Sequence, residues 1–253
     1  MRIAVITGAS AGLGEQFARQ MKGAFPEIQG VWLIARRADR LAELAQKLPP
    51  ELKTEILPLD LCDKACLDRL AEKLAAEKPE VGLLINNAGC GYLGNLGEGE
   101  LSLQTRMTDL NVTALTAVTH MTIPYIPAGG RIINVSSIAS FCANPRMTVY
   151  SSTKAYVSSF TRGLSQELKS RKIAVTAVCP GPMATEFLDV GKIAGNSKTF
   201  ETLPYCDPEK VVAGTLAASR AGRVFYTPKG FYKLYRVLAK ILPHGLMVKL
   251  AWC

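Results

Sequence analysis

The sequence predicts a single-domain α/β fold, in which a doubly wound parallel sheet lies between two layers of helices. Short runs of β-branched and apolar residues alternate along the chain with longer helical patterns. Apolar strands that alternate with helices are typical of a parallel sheet covered on both faces. Because the crossover connections are right-handed, the helices form the outer layers of a three-layer α/β/α sandwich. A chain of 253 residues, 48% of them hydrophobic, is long enough to build that core.

The predicted elements follow one another in a regular order. Strands are expected at residues 3–6, 31–34, 55–57, 81–85, 132–135 and 173–178. Helices are expected near residues 12–24, 38–48, 63–77, 100–122 and 148–170. Two segments fall outside this alternation: a loop over residues 182–206 that is rich in Gly, Lys, Thr and Pro, and a basic tail after Arg223.

The positive charge is concentrated near the C-terminal end. The formal net charge is +9, from 30 basic and 21 acidic residues, and eight of the basic residues but none of the acidic ones lie after Glu209. Residues 1–209 therefore carry a net charge of only +1. This distribution argues against a nucleic-acid-binding protein and indicates a basic tail.

Cysteine and histidine usage indicates reduced thiols and no metal site. The seven cysteines are odd in number and form no CxxC pair, so we expect a cytoplasmic protein. Two histidines are too few to favour a zinc site. The N-terminus reaches a Gly/Ser turn too soon for a signal peptide. The longest uncharged stretch, residues 110–130, contains prolines, glycines and polar residues that argue against a membrane span.

The first chemical signal is a glycine-rich turn between the first strand and the first helix. The segment reads Thr7-Gly8-Ala9-Ser10-Ala11-Gly12-Leu13-Gly14. Glycines at such a turn let the backbone approach a pyrophosphate, whose charge meets free N–H groups at the helix N-terminus. A Gly/Ser turn between strand and helix is common in itself, but this position favours dinucleotide binding.

The end of the second strand indicates which dinucleotide is preferred. Here the chain has Arg36 and Arg37 and no acidic residue until Asp39. A carboxylate at this place binds the ribose hydroxyls of NAD, whereas an arginine suits the 2′-phosphate of NADP. Two arginines alone could be solvated loop charges. Behind a glycine turn, Arg36 favours NADP(H), with NAD(H) as the alternative cofactor.

The third signal combines Ser137, at the end of a strand, with Tyr150 and Lys154 on the following helix. Residues four apart share one helix face, so we expect the ammonium to lie near the phenol. A nearby positive charge lowers the pKa of Tyr150 from its usual value of about 10, which makes it a proton donor to a carbonyl near neutral pH. The Tyr–Lys spacing occurs by chance in many chains, but its combination with a strand-end serine is much rarer.

These motifs occur together in one known family. The chain resembles the short-chain dehydrogenases/reductases, which are single-domain, Rossmann-type oxidoreductases of about this length. The matching motifs are, in chain order, residues 7–14, Asp60, Asn86-Asn87-Ala88-Gly89, Asn111, Ser137, Tyr150 with Lys154, and Pro180-Gly181-Pro182-Met183-Ala184-Thr185. The match runs in order from residue 3 to about residue 185, so a chance resemblance is negligible.

The resemblance implies a role for each matched residue. Tyr150 would be the acid/base, Ser137 would orient the carbonyl, and Lys154 would bind the nicotinamide ribose. Asn111 would hold a water that relays protons between Lys154 and solvent. The implied cofactor-binding residues, besides Tyr150 and Lys154, are Gly8, Ser10, Gly12, Leu13, Gly14, Arg36, Asp60, Leu61, Asn87, Ala88, Gly89, Pro180, Gly181, Met183 and Thr185. Ser10 would help Arg36, and Asp60 with Leu61 would lie against the adenine.

The resemblance also implies an assembly. Members of the family usually form homodimers or homotetramers through the helices that here lie near residues 100–122 and 148–170. The second of these helices carries small residues that permit close helix approach, namely Ser151, Ser152, Ala155, Ser158 and Ser159. The same residues could instead pack only on the parent sheet.

The substrate pocket is expected to be largely apolar. Its candidate residues are Tyr92, Phe141, Met147, Met183, Phe187 and Leu188. They favour a lipid-like, steroid-like or aromatic carbonyl over a sugar. We therefore expect an NADP(H)-dependent oxidoreductase, with a catalytic domain over residues 1–227 and an extension over 228–253. The alternatives are a dinucleotide-binding regulator without turnover and a membrane-surface protein on the same fold.

The tail has the pattern of an amphipathic helix. At 100° per residue, Lys229, Lys233, Arg236 and Lys240 fall within an arc of about 60°. The other positions to residue 242 are apolar, Pro243 and Gly245 are expected to break the helix, and residues 246–252 resume an apolar run. So wide an apolar face must be covered, either by its own domain or a partner subunit over the pocket, or by an anionic membrane surface.

Overall fold

The computed structural model describes residues 1–193 and 195–251, and these form a seven-stranded parallel sheet with helices on both faces. The strands are β1 (Arg2–Thr7), β2 (Gly30–Ala35), β3 (Lys53–Pro58), β4 (Glu80–Asn86), β5 (Arg131–Val135), β6 (Ala174–Val178) and β7 (Phe225–Tyr226). Their order across the sheet is β3-β2-β1-β4-β5-β6-β7, and all neighbours are parallel. The predicted fold class is confirmed. All six predicted strands are present, and β7 is too short to leave a pattern in the sequence.

The helices occupy the predicted places and several others. Within the described residues they are α1 (Gly12–Ala24), α2 (Ala38–Ala45), α3 (Lys64–Glu77), α4 (Leu101–Thr108), α5 (Leu115–Thr122), α6 (Thr148–Glu167), α7 (Glu186–Val190), α8 (Lys198–Thr202), α9 (Pro208–Arg220), α10 (Gly230–Ile241) and α11 (His244–Leu250). A π-helical turn, Asp109–Ala114, joins α4 to α5. The helix predicted near residues 100–122 is therefore continuous, with a wider π-helical turn at residues 109–114.

The predicted helices do not include α9, although the chain carries ordinary start signals for it. The Asp207 side chain caps this helix by accepting a hydrogen bond from the Glu209 N–H, and Pro208 occupies its first turn. The predicted loop at 182–206 also contains two short helices, α7 and α8. Pro243 does separate α10 from α11, but Gly245 lies inside α11 and does not break it.

The core has two layers because successive side chains of a strand point to opposite faces of the sheet. In β1, Ala4 and Ile6 pack with residues of α1, α2 and α9, while Ile3 and Val5 pack with residues of α3, α5 and α6. Tyr232 of α10 is fully buried in the first of these layers. The tail is therefore anchored in the core of the domain through this side chain.

Two further features are the hydropathy of the helices and the state of the cysteines. Within the described residues, none of the helices has the length and hydropathy that a membrane crossing requires. Ala194, Trp252 and Cys253 lie outside the described residues, and with them parts of the predicted loop and apolar run. The six described cysteines are all free thiols.

Candidate active site

A cleft of about 660 Å³ opens at the carboxyl ends of the strands. It lies beside the point where the strand order reverses between β1 and β4, which is where open α/β sheets bind ligands. Ser137, Tyr150 and Lys154 line this cleft. So do the predicted cofactor residues Gly8, Ser10, Gly12, Leu13, Arg36, Asp60, Leu61, Asn87, Ala88, Gly89, Pro180, Gly181, Met183 and Thr185. The fold thus brings together residues from most of the chain.

One side of the cleft consists of the loops that follow β1 to β4, and we call it the glycine wall (residues 8–13, 36–37, 59–61 and 87–89). The Thr7 hydroxyl accepts hydrogen bonds from the backbone N–H groups of Asn87 and Ala88, both at 3.0 Å. In return, the Asn87 side-chain amide donates to the carbonyls of Thr7 and Gly8. These bonds hold the loop after β1 against the loop after β4.

Glycine is required at two positions where β1 turns into α1. Gly8 has a φ of +65°, and a Cβ there would lie 2.8 Å from the Cα of Ala88. Gly14 does not line the cleft; a Cβ at this position would collide with the Gly8 carbonyl. Gly14 therefore permits α1 to start close against the turn, while Gly8 permits the left-handed backbone.

The N-terminus of α1 forms part of this wall and has no capping side chain. Its N-cap residue is Ala11, which cannot accept a hydrogen bond from the first-turn N–H groups. Those groups and the positive end of the helix dipole suit a pyrophosphate. The residues present therefore fit a dinucleotide at this place.

The two arginines after β2 differ in their contacts. Arg37 donates a hydrogen bond to the Ser10 hydroxyl at 3.2 Å and pairs with the Glu186 carboxylate at 2.9 Å. Arg36 is exposed and lines the cleft, and it has no side-chain hydrogen bond or ion pair within the described part of the chain. Ser10, which was expected to help Arg36, contacts Arg37 instead.

Asp60 is held by a partner that the sequence analysis did not identify. Its carboxylate accepts hydrogen bonds from the Arg106 guanidinium, at 2.9 and 3.2 Å, and from the Cys62 N–H at 3.0 Å. Burial alone would raise the pKa of Asp60, but the Cys62 N–H and Arg106 outweigh it, so the pKa lies below its usual value. Arg106 stands on α4, 46 residues away, and no local pattern connects it to Asp60.

Tyr150 and Lys154 lie one turn apart on α6 and are both buried. The Lys154 Nζ is 5.8 Å from the centre of the Tyr150 ring and donates to the Val135 carbonyl at 2.9 Å. Burial raises the pKa of Tyr150 to about 12, although hydrogen bonding with Ser137 opposes this rise. Burial also lowers the pKa of Lys154 to about 8.

The expectation that Lys154 lowers the pKa of Tyr150 is therefore wrong for the chain by itself. The ammonium is close to the phenol, as the helix spacing predicts, but removal from water disfavours the charged form of both groups. The helix spacing reveals the neighbouring charge but not the burial, which only the tertiary fold determines.

Asn111 lies behind the cleft, in the π-helical turn, and its side chain hydrogen-bonds to protein groups. Its side-chain oxygen accepts from the Cys90 N–H, and its amide donates to the Cys90 carbonyl and the Thr153 hydroxyl, at 2.9 to 3.0 Å. A Cβ at Gly89 would lie 3.0 Å from the Asn111 oxygen and 3.4 Å from the Lys154 Nζ. The side chains of Asn111 and Lys154 therefore both lie on the side of Gly89 where a Cβ would point. The role of Asn111 in holding a relay water stays a prediction.

The opposite side of the cleft is largely apolar, and we call it the apolar wall. Of the predicted pocket residues, Tyr92, Met147, Met183, Phe187 and Leu188 belong to it. Residues that the sequence analysis did not place here are Val190, Thr199, Phe200, Leu203, Phe231, Tyr232, Tyr235, Leu238, Leu242, Met247, Leu250 and Ala251. Eight of these twelve residues lie in the tail, on α10 and α11 or directly after them. The tail therefore roofs the cleft, as one of the two sequence-based alternatives proposed.

Phe141 is a correction to the predicted pocket. It does not line the cleft but packs against Tyr235, with ring centres 6.1 Å apart, in a small cluster under the tail. The tail covers Phe141, and Tyr235 of the tail lines the cleft instead. By contrast, the Phe187 ring lies 5.6 Å from that of Tyr150, at the junction of the two walls.

Comparison with known proteins gives a consistent result. A profile of the short chain dehydrogenase family matches residues 2–191. Sulfoacetaldehyde reductase 2 of Chromohalobacter salexigens is 31% identical over 229 residues, covering 89% of this chain and 87% of that protein.

Two solved structures have a similar fold. A short-chain dehydrogenase from Sphingobium yanoikuyae, in complex with NADPH, has a TM-score of 0.80 and 27% identity, over 96% of this chain and 97% of that chain. The bulky-bulky ketone specific alcohol dehydrogenase from Comamonas testosteroni has a TM-score of 0.76 and 26% identity, over 98% and 94% of the two chains.

Proposed function

Because the chain belongs to the short-chain dehydrogenase family, we propose that it interconverts a ketone or aldehyde and the corresponding alcohol with NADP(H) as preferred cofactor. The family makes the chain an oxidoreductase; the proposal concerns the residues, the cofactor preference and the substrate class. The observation that carries it is the position of Tyr150, which meets Ser137, Lys154 and Phe187 where the glycine wall joins the apolar wall.

Tyr150 is the proposed acid in the reducing direction. Its raised pKa keeps the phenol protonated at neutral pH, so that it can donate its proton to the carbonyl oxygen while Ser137 holds that oxygen. A bound nicotinamide supplies the hydride to the carbonyl carbon. Lys154 is proposed to bind the nicotinamide ribose, and Asn111 to hold the water through which Tyr150 regains its proton.

The preference for NADP(H) rests on Arg36. Its guanidinium lines the cleft without a protein partner among the described residues, and an arginine can bind a phosphate bidentately. Arg37 is already paired with Glu186, so we assign it the smaller part. The relative from Sphingobium yanoikuyae is in complex with NADPH, which supports this choice.

The substrate is proposed to be a bulky, apolar carbonyl of a lipid-like, steroid-like or aromatic kind. The apolar wall presents aromatic and aliphatic side chains along the cleft, and a sugar would leave its hydroxyls without partners there. The relative from Comamonas testosteroni is specific for bulky-bulky ketones, which supports the same class.

The proposed assembly is a homodimer or homotetramer through α4, α5 and α6. On α6, Ser152, Ala155 and Ser159 are exposed and can form such a contact. Ser151 is buried, and Ser158 hydrogen-bonds to Ser136 and Ser140, so these two pack on the parent sheet. Three of the five predicted small residues therefore remain candidates for the interface.

The test is a turnover assay with both cofactors over a graded panel of carbonyl compounds. We expect reduction of bulky apolar ketones, with a kcat/KM for NADPH at least about tenfold above that for NADH, since one charge-assisted contact is worth roughly 1.5–3 kcal/mol. Dinucleotide binding without turnover of any compound would favour the regulator instead. A preference for small, hydrophilic carbonyls would contradict the substrate class.

A further inference from the structure

The tail helix α10 has an outward face that is apolar and uncovered. Its inward face is built into the domain, because Tyr232 and Ala239 are buried. Four side chains of the outward face, Phe231, Leu234, Val237 and Ile241, are 54–69% exposed. On a helix these four fall within an arc of about 120°, and we call them the exposed apolar strip.

The exposed apolar strip adjoins the mouth of the active-site cleft. Phe231 belongs both to the strip and to the lining of the cleft, and Leu250 on α11 is 67% exposed and also lines it. Val190, on α7 in the loop across the cleft, is 72% exposed and lines it too. The mouth is therefore rimmed by uncovered apolar side chains from α7, α10 and α11, whereas isolated exposed apolar residues would need no explanation.

Lysines border the strip along one edge, and no acidic residue of the tail opposes them. Lys233 and Lys240 are exposed on α10, as are Lys229 directly before this helix and Lys249 on α11. The chain has no Asp or Glu after Glu209. Arg236, which the sequence placed in the same basic arc, lies 4.5 Å over the Phe225 ring and is half-buried. The arc available to a partner is therefore formed by lysines.

We propose that α10 and α11 bind the surface of an anionic lipid bilayer, with the mouth of the cleft facing the bilayer. An apolar strip bordered by lysines matches the boundary between acyl chains and negative headgroups. A second copy of the chain fits the same surface poorly, because a symmetric contact would bring the two sets of lysines together without an acidic partner in the tail. The surface is independent of the reaction proposed above.

Removal of the whole tail is not a clean test of this surface. Tyr232 is fully buried, and its hydroxyl donates to the Pro204 carbonyl at 2.8 Å, so truncation would expose the core and open the cleft. Single side chains of the strip can be replaced without exposing the core or opening the cleft. Suitable positions are Leu234, Val237 and Ile241, because they are exposed and do not line the cleft. Lys233 and Lys240 are exposed and outside the cleft lining as well.

The experiment is co-sedimentation of the full chain with phosphatidylcholine vesicles, with or without about one-third phosphatidylglycerol, at about 0.05 M and 0.5 M salt. We expect binding to the anionic vesicles at low salt and release at high salt. Lys233→Ser/Lys240→Ser should lower the partition coefficient about twenty-five-fold, or about fivefold per lysine. Leu234→Ser/Ile241→Ser should lower it at least about tenfold, because the inserted apolar area is lost.

Matched variants separate this surface from general charge attraction. Lys47→Ser/Lys169→Ser removes the same charge at exposed sites in connections that enter β3 and β6, away from the cleft mouth, and should bind like the parent. Leu234→Met/Ile241→Leu keeps the strip apolar and should also bind normally. All four variants should turn over a soluble ketone at the parent rate.

Three results would overturn the proposal. The first is a full-length protein that ignores anionic vesicles at low salt. The second is an equal loss of binding in the control pair Lys47→Ser/Lys169→Ser, which would mean that net charge alone attracts the chain. The third is a lower molar mass of Leu234→Ser/Ile241→Ser by light scattering, which would show that a second copy covers the strip.

Discussion

The two walls of the cleft are held in place by different kinds of interaction. The glycine wall is formed by strand-end loops, which hydrogen bonds between side chains and backbone groups, such as those between Thr7 and Asn87, tie together. The apolar wall is formed by side chains of short helices and of the tail. Backbone geometry tolerates little change, because a Cβ at Gly8 or Gly14 has no room. Apolar packing accepts many substitutions of similar volume, so the second wall is the part of the cleft in which substrate choice can vary.

The loop after β6, which also lines the cleft, passes under α10. A Cβ at Gly181 would collide with the ring of Tyr232, and the Pro182 carbonyl accepts a hydrogen bond from the Cys206 N–H at 2.7 Å. The tail therefore supports a segment of the cofactor site as well as roofing the cleft. The following predictions test the separate contributions of the glycine wall, the apolar wall and the tail.

The largest effect should come from removing the hydroxyl of Tyr150 while keeping the shape of its ring. Tyr150→Phe keeps the ring against Phe187 but removes the proton, so kcat should fall about 10²–10⁴-fold. Binding of NADPH, measured by fluorescence titration, should survive, because the glycine wall is unchanged. A variant that kept more than about a tenth of the parent rate would show that Tyr150 is not the acid.

The next effect concerns the stability that the tail contributes. Tyr232→Ala should lower the free energy of unfolding by about 3–5 kcal/mol, because it leaves a cavity in the core beside Gly181. Tyr232→Phe should cost only about 1 kcal/mol, for the lost bond to Pro204. The control is Phe231→Ala, an exposed neighbour, which should stay within about 0.5 kcal/mol of the parent. Urea denaturation measures all three, and equal losses for residues 231 and 232 would contradict the inward anchoring of α10.

Cofactor choice should depend on the glycine wall alone. Arg36→Ala should raise the KM for NADPH about ten- to hundredfold and leave that for NADH unchanged, because only NADPH carries the 2′-phosphate. Arg37→Ala should have a smaller effect, since Arg37 is paired with Glu186. Initial rates with both cofactors give the answer, and equal kcat/KM values for NADPH and NADH in the parent protein would refute the assignment.

The smallest effect is a pH dependence that originates where the two walls join. Lys154 has a pKa of about 8 in the folded chain, against 10.5 for an ordinary lysine. Between these values the unfolded chain binds a proton that the folded chain has lost, so the stability rises with pH across this window. Relative to Lys154→Met, the parent should gain roughly 1–2 kcal/mol between pH 8 and about 9.5. Urea denaturation gives the free energy of unfolding of both proteins at each pH, and their difference cancels the contributions of the other titrating groups. Parallel pH profiles of the two proteins would show that burial does not shift the pKa of Lys154.

The sequence by itself determined the parts of this protein that depend on local patterns. Six strands, the glycine turn at 7–14 and the four-residue spacing of Tyr150 and Lys154 follow from periodicity and turn chemistry, because they involve neighbours along the chain. The family resemblance over the motifs between residues 3 and 185 rests on the same local signals, and the family match to residues 2–191 confirms it. The start of α9 at Asp207 and Pro208 was equally local and was overlooked.

Only the tertiary structure decided what depends on distant neighbours or on exclusion from water. The pairing of Asp60 with Arg106 and the displacement of Phe141 from the cleft by Tyr235 join segments that no local pattern connects. The direction of the Tyr150 pKa follows from burial, which the spacing to Lys154 does not reveal. The tail sequence specified an amphipathic helix, but folding decided which part of its apolar face is covered: Tyr232 enters the core, while Leu234 and Ile241 remain exposed, because a helix can turn only one side toward the domain on which it packs.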